Sequence, residues 1–293
     1  MKRLVPLICA TLVAAANAQA QGTAREALLA ADRQLSEALF AHGPIAPLPV
    51  ALGEDGVLLW PSAGVIRGGQ AATKFFAGQP LFEDVHMSWQ PLHIEVAADT
   101  TLAILYGVAT IDRVAAAPFP EIHRIGRYLS AWSRVKGNWR LAALSITSLI
   151  ANNEVLWSDL LGIREWPVAR ATGPAAAFIN ADSMFSADAN AGAVSSAFAK
   201  WAAPDAVTFA ATGELNIGPD GIGAALSGNT AHWSWATVAA GASSDQTLGW
   251  TAGQATIMPA TGGRPARTKY LTLWRRMPDG TIRFIADGGN ARP

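Results

Sequence analysis

The sequence predicts an α+β protein made of two tandem copies of one unit, each with helices first and antiparallel strands after. Three observations carry this. At 293 residues the chain is about twice a typical domain. The stretch "HMSWQPLHIEVAADTTLAILYGVATI" from His86 lies without a gap over "HWSWATVAAGASSDQTLGWTAGQATI" from His232, with ten of 26 positions identical, Asp99/Asp245 and Gly107/Gly253 among them. In each copy helical periodicity gives way to long β-type segments, the order that separates α+β from α/β chains.

The elements follow in order. Lys2 and Arg3 precede an apolar run from Leu4 to Ala16, and Ala18-Gln19-Ala20 has the small-x-small form of a signal-peptidase site, so residues 1–20 read as a signal peptide cleaved after Ala20, with Ala18 as the alternative. The run is too short for a membrane span, which takes about 20 helical residues. Too little apolar sequence precedes Cys9 for a lipoprotein signal. The expected address is periplasmic or secreted. Cleavage removes Cys9, the single cysteine, and with it any disulfide, thiolate nucleophile or cysteine ligand. It also removes two of the 22 basic residues and none of the 22 acidic ones, leaving a net charge of about −2. That disfavours a nucleic-acid partner, which needs a concentrated basic face.

Thr23-Ala24-Arg25-Glu26 has the form of a capping box. After it Leu28, Leu29, Leu35, Leu39 and Phe40 fall on one helical face, ending near Gly43-Pro44. Strands are expected at 57–60 and 64–67, a turn at Gly68-Gly69, a helix over 69–77, and long strands over 85–96, 101–114, 122–135 and 138–147 with a hairpin at Lys136-Gly137-Asn138. The second copy repeats the order and ends through Pro278-Asp279-Gly280. "RYLSAWSRVKGNWRL" from Arg127 matches "KYLTLWRRMPDGTIRF" from Lys269, and "ADRQLS" from Ala31 matches "ADSMFS" from Ala181. The resulting division is 1–20 signal peptide, 21–150 first domain, 151–171 connector and 172–293 second domain. Trp157 and Trp166 suggest a connector that packs and is no loose linker.

An N-terminal helix, a Gly turn into a short helix, and long strands ending "YLSAWSRVKGNWRL" resemble the nuclear transport factor 2-like superfamily, in its SnoaL-like and uncharacterised secreted branches. The resemblance implies two tandem cone-shaped domains, each a curved antiparallel sheet wrapped around an N-terminal helix with a pocket between them. It also implies pairing through the outer sheet faces, here an internal pseudo-dimer. The superfamily includes ketosteroid isomerases, dehydratases, polyketide cyclases and proteins with no catalysis, so fold alone does not assign activity. Leu35 and Phe185 stand where isomerases carry a helix tyrosine, and Trp60 and Ala210 near where a base aspartate would follow the first strand. Isomerase chemistry of that type is therefore disfavoured.

Asp32 lies at a helical angle among Leu28, Leu35 and Leu39, and Asp182 among Phe178, Ile179 and Phe185. A carboxylate on an apolar face is either a base or ligand acceptor with a raised pKa, or a structural hydrogen-bond acceptor. His86 and His232 sit at the start of matching strands, on the face opposite Trp89 and Trp235. They read as proton-transfer partners of the aspartates or as structural histidines. Trp89, Tyr128, Trp132, Trp235, Tyr270 and Trp274 form aromatic stripes, suited either to a ligand wall or to core. No HxxxH or HxH pair occurs. Glu83, Asp84 and His86 make a weak metal set in the first copy alone, so no metal and no cofactor is expected. The turn at Gly218–Gly223 lacks the GxGxxG spacing and aligns with Gly68-Gly69.

The leading function is an exported protein binding a small, mainly apolar molecule in its pockets. An isomerase, cyclase or dehydratase using a pocket Asp and His, and a structural or partner-binding pseudo-dimer, are the alternatives.

Overall fold

The computed structural model describes residues 5–61, 63–77, 82–115, 121–148, 168–209 and 214–291. The first unit contains α1 (Val5–His42), α2 (Pro47–Leu52), β1 (Val57–Leu59), β2 (Ile66–Arg67), α3 (Gly68–Phe76), β3 (His86–Val96), β4 (Leu102–Arg113), β5 (Ile122–Val135) and β6 (Asn138–Ser148). The second contains α4 (Ala176–Ala191), α5 (Val194–Trp201), β7 (Ala202–Phe209), β8 (Leu215–Ile217), α6 (Gly218–Ala225), β9 (His232–Ala242), β10 (Leu248–Met258), β11 (Ala266–Arg276) and β12 (Ile282–Ala291). Each unit has one six-stranded sheet, in the orders β2-β1-β6-β5-β4-β3 and β8-β7-β12-β11-β10-β9. The class is α+β, in two tandem halves. Trp157, Trp166 and Ala210 lie outside the described residues.

The helix start differs from expectation. α1 runs upstream through the Ala- and Leu-rich leader, which favours helix, and Thr23 is an interior residue whose hydroxyl donates back to the Gln19 carbonyl at 3.1 Å. Among the described residues no helix is long and apolar enough to cross a membrane. The helix α2, with Pro at its first turn, was not read from the sequence; its six residues are too few for a periodic signal.

In the first unit Leu28, Leu35 and Leu39 of α1 pack on the inner sheet face against Leu105, Leu141 and Leu144. The outer faces meet. One apolar cluster joins Leu59, Ile104, Leu129 and Ala131 of the first unit with Leu271, Leu273 and Ala286 of the second. The repeated aspartates of the opening motif sit at this junction. The Asp99 N–H donates to Asp245 Oδ2 at 2.9 Å, and the Asp245 N–H donates to Asp99 Oδ2 at 2.7 Å. The other oxygen of each closes its own turn, accepting from Thr101 or Thr247. Arg275 adds a bidentate pair with Glu95, at 2.8 and 2.6 Å, while also holding Asp205 at 2.9 Å.

Candidate functional site

The repeated "AD" and "S" of the first helix in each unit become a clamp. Asp182 and Ser186 are four apart and so share a face of α4. Ser186 Oγ accepts the Trp235 N–H at 2.8 Å and donates to the Trp235 carbonyl at 2.9 Å, while the Trp235 indole N–H donates to Asp182 Oδ1 at 3.3 Å. Ser36 does the same for Trp89 at 2.9 and 3.1 Å, and the Trp89 indole reaches Asp32 at 3.1 Å. Helix and strand are thereby locked at one residue of the sheet in both units.

The units differ beyond that clamp. Asp182 also accepts from the Tyr270 hydroxyl at 2.6 Å and from Thr237 Oγ1 in a short bond. In the first unit Pro91 stands in the place of Thr237, and the Tyr128 hydroxyl is buried with no hydrogen-bond partner among the described residues. Asp32 and Asp182 are both buried, 2% and 1% exposed. Removal from water raises both carboxyls to about 6 despite the donors around them.

The interiors differ in volume. Trp60, Phe75, Phe76 and Phe82 interlock edge-to-face in the first unit, with centroids 4.8 to 5.6 Å apart for neighbouring pairs such as Phe75–Phe76 and Trp60–Phe82. α3 and α6 both open on a glycine with positive φ, so Phe75 and Phe76 correspond to Ala225 and Leu226. Register against the two tyrosines makes Leu144 and Ile146 the counterparts of Asp287 and Gly289. Small residues replace large ones, and a cavity of about 570 Å³ opens in the second unit. It is lined by Phe198, Phe209, Trp233, Trp235, Tyr270 and Asp287, with Thr208 and Asn216 among the polar groups.

Asp287 is the ionisable group at this wall. Thr272 Oγ1 donates to its Oδ2 at 2.6 Å. The residue is half-buried at the cavity wall and its carboxyl lies deep in the unit; burial, followed by the charge of nearby Asp182, raises it to about 7. Asp287 is not among the sequence-derived candidates. A buried indole N–H, that of Trp233, also borders the cavity and has no partner among the described residues.

The structure places the sequence-derived candidates as follows. Trp235 and Tyr270 line the cavity. Trp89, Tyr128, Trp132 and Trp274 are core: the rings of Trp89 and Tyr128 stack at 5.2 Å, and the Trp274 indole donates to Thr251 at 2.8 Å. The pairing of Asp32 with His86 and of Asp182 with His232 is corrected. Both histidines are exposed, on the strand face opposite the inward Trp89 and Trp235, so neither meets its aspartate. His86 Nδ1 instead donates to the Phe40 carbonyl at 2.6 Å. Among the described residues no group of three His, Cys, Asp or Glu is placed to hold a metal ion, and Glu83, Asp84 and His86 do not form one.

The three raised carboxyls set a pH dependence of stability. Each binds its proton more tightly in the folded than in the unfolded chain, whose carboxyls titrate near 3.8. Their contribution is therefore fully present below that value and is lost as pH rises through about 6 to 7. Carboxylates held low, such as Asp205 by Arg275, act below this window. The melting temperature is expected to fall between about pH 4.5 and 7.5, and Asp287→Asn to flatten the upper part of that fall; an unchanged profile in this variant would show that Asp287 does not carry it.

No protein-family model and no curated protein matches the sequence. Solved structures do match. An NTF2-like protein with a cystatin-like fold from Novosphingobium aromaticivorans is 19% identical, with a TM-score of 0.36 over 56% of this chain and 99% of its own. A candidate scytalone dehydratase from the same organism is 18% identical, with a TM-score of 0.39 over 45% and 88%. The association domain of C. elegans CaMKII is 14% identical, with a TM-score of 0.35 over 44% and 98%. The likeness is to nuclear transport factor 2-like folds. At these identities and scores it says nothing of activity or ligand.

Proposed function

We propose that this is an exported protein whose second unit binds a small, mainly apolar molecule, with the first unit as a filled partner that backs it. The observation carrying this reading is the contrast at equivalent positions. Phe75, Phe76, Leu144 and Ile146 pack the first interior, whereas Ala225, Leu226, Asp287 and Gly289 leave a cavity of about 570 Å³ in the second. A concave aromatic wall with a few polar groups is the form that small-molecule sites take. Export rests on the leader, whose proposed cleavage site at Ala20 is exposed.

The test is direct. Indole and cyclohexanol, titrated calorimetrically, are expected to bind the native chain. Ala225→Phe, which copies Phe75, is expected to weaken them at least about tenfold with the melting temperature maintained. Equal binding by this variant would remove the cavity from consideration. In the same preparation, a mature N-terminus at Gln21 from the extracytoplasmic fraction supports export; an intact Met1 there opposes it.

A second reading, an isomerase, cyclase or dehydratase, is favoured by Asp287 alone, since a carboxyl held near 7 suits proton transfer at neutral pH. It would use Asp287 without a histidine, and requires that a bound compound be turned over and that Asp287→Asn abolish the turnover while leaving binding.

A further inference from the structure

Among the described residues, Asp287 faces groups that are acidic or uncharged: Asp182 from α4, Tyr270 and Thr272 from β11, and Thr208 from β7. Lys269 also borders the cavity, but it is one residue out of phase with Tyr270 and shares the strand face of Leu271 and Leu273, which pack between the units. Asp182 thus lies close to Asp287, and the cavity wall that Asp287 joins carries several rings. Phe198 meets Trp233 and Trp235 at 5.7 and 6.2 Å between centroids, and Trp235 meets Tyr270 at 6.1 Å. In the first unit Leu144 replaces Asp287 and the space is filled, so carboxylate and cavity occur together.

We infer that the cavity takes a small organic cation, an amine or quaternary ammonium on an apolar body, with Asp287 as its counter-charge and the rings of Trp233, Trp235, Phe198 and Tyr270 around it. This deepens the binding reading and rests on it. Two physical terms favour the cation over a neutral molecule of the same shape. Aromatic faces attract positive charge, and more strongly where water is excluded. A buried carboxylate is costly until paired, and the cation supplies a pair that no side chain among the described residues is seen to give Asp287. Without a ligand a proton fills that role, which is why the carboxyl titrates near 7. Cation and proton therefore compete for Asp287.

The probes are benzyltrimethylammonium and its uncharged carbon isostere neopentylbenzene, titrated calorimetrically into the full mature chain. At about pH 8 the cation is expected to bind roughly tenfold more tightly or better. That preference is expected to vanish at about pH 5.5, where Asp287 holds its proton, and in Asp287→Asn at about pH 8. A preference for the isostere, no preference, or a preference that survives both low pH and the substitution overturns the inference. If Asp287→Asn does not fold, the pH comparison on the native chain decides. Binding of the isostere alone defeats the cation and leaves the cavity reading standing. If neither probe nor indole nor cyclohexanol binds, both fall.

Discussion

Asp182→Ala is expected to lower the stability of the chain by about 3 kcal/mol at neutral pH, read as a shift in urea midpoint at constant slope. Three donors converge on this carboxylate, from Trp235, Thr237 and Tyr270, and all lie in the interior. Removing the acceptor strands three buried polar groups, each costing about 1–3 kcal/mol when unpaired. Part of that loss is offset because the alanine chain no longer confines a carboxyl whose ionisation burial opposes. Asp182→Asn, which keeps one acceptor oxygen while the hydroxyls of Thr237 and Tyr270 can turn, should cost less than half as much. Asp32→Ala should also cost less, since the Tyr128 hydroxyl already lacks a partner and Pro91 stands in the place of Thr237. Equal losses for Asp32→Ala and Asp182→Ala would show that the extra donors in the second unit contribute nothing to stability.

The strands and the buried aspartates were legible because their signals are local. Helical angle alone put Asp32 and Asp182 on the apolar face, and alternation put His86 opposite Trp89. With Trp89 and Asp32 both inward, that same alternation already excludes His86 from meeting Asp32. Asp287 was illegible for a geometric reason. Strict alternation from the inward Phe284 places residue 287 on the outer face. A bulge at Ile285, where two steps on β11 oppose three on β12, restores it to the inner face beside Thr272. The cavity was hidden likewise, because Ala225, Leu226 and Gly289 acquire meaning against Phe75, Phe76 and Ile146 once pairing register makes them equivalent. The reciprocal contact of Asp99 with Asp245 needs both units in place, and each residue alone reads as an ordinary turn aspartate.

Gly253→Ala is expected to cost about 3 kcal/mol or more and to abolish binding in the second unit, whereas Gly107→Ala should cost a similar amount of stability and leave that binding intact. Neither glycine has positive φ, so the requirement is space and not backbone conformation. A Cβ on Gly253 would lie 2.3 Å from the Ala236 carbonyl oxygen and 2.4 Å from the Tyr270 hydroxyl. Tyr270 is the cross-strand neighbour of Gly253, and its ring lies over the bare backbone there; that is what lets its hydroxyl reach Asp182. The register irregularity of β9 against β10 falls at the same point, so the carbonyl can retreat only by reshaping the bend. An added methyl therefore displaces Tyr270 from both its acceptor and the cavity wall. On Gly107 the same methyl would meet the Gln90 carbonyl at 2.1 Å and Tyr128 Cε1 at 2.8 Å, in an interior that holds no site. Far-ultraviolet melts of the two variants, followed by indole titration of whatever remains folded, separate the roles. Retained binding in Gly253→Ala would disconnect the glycine and Tyr270 from the site, and loss of binding in a folded Gly107→Ala would make the first unit more than a support.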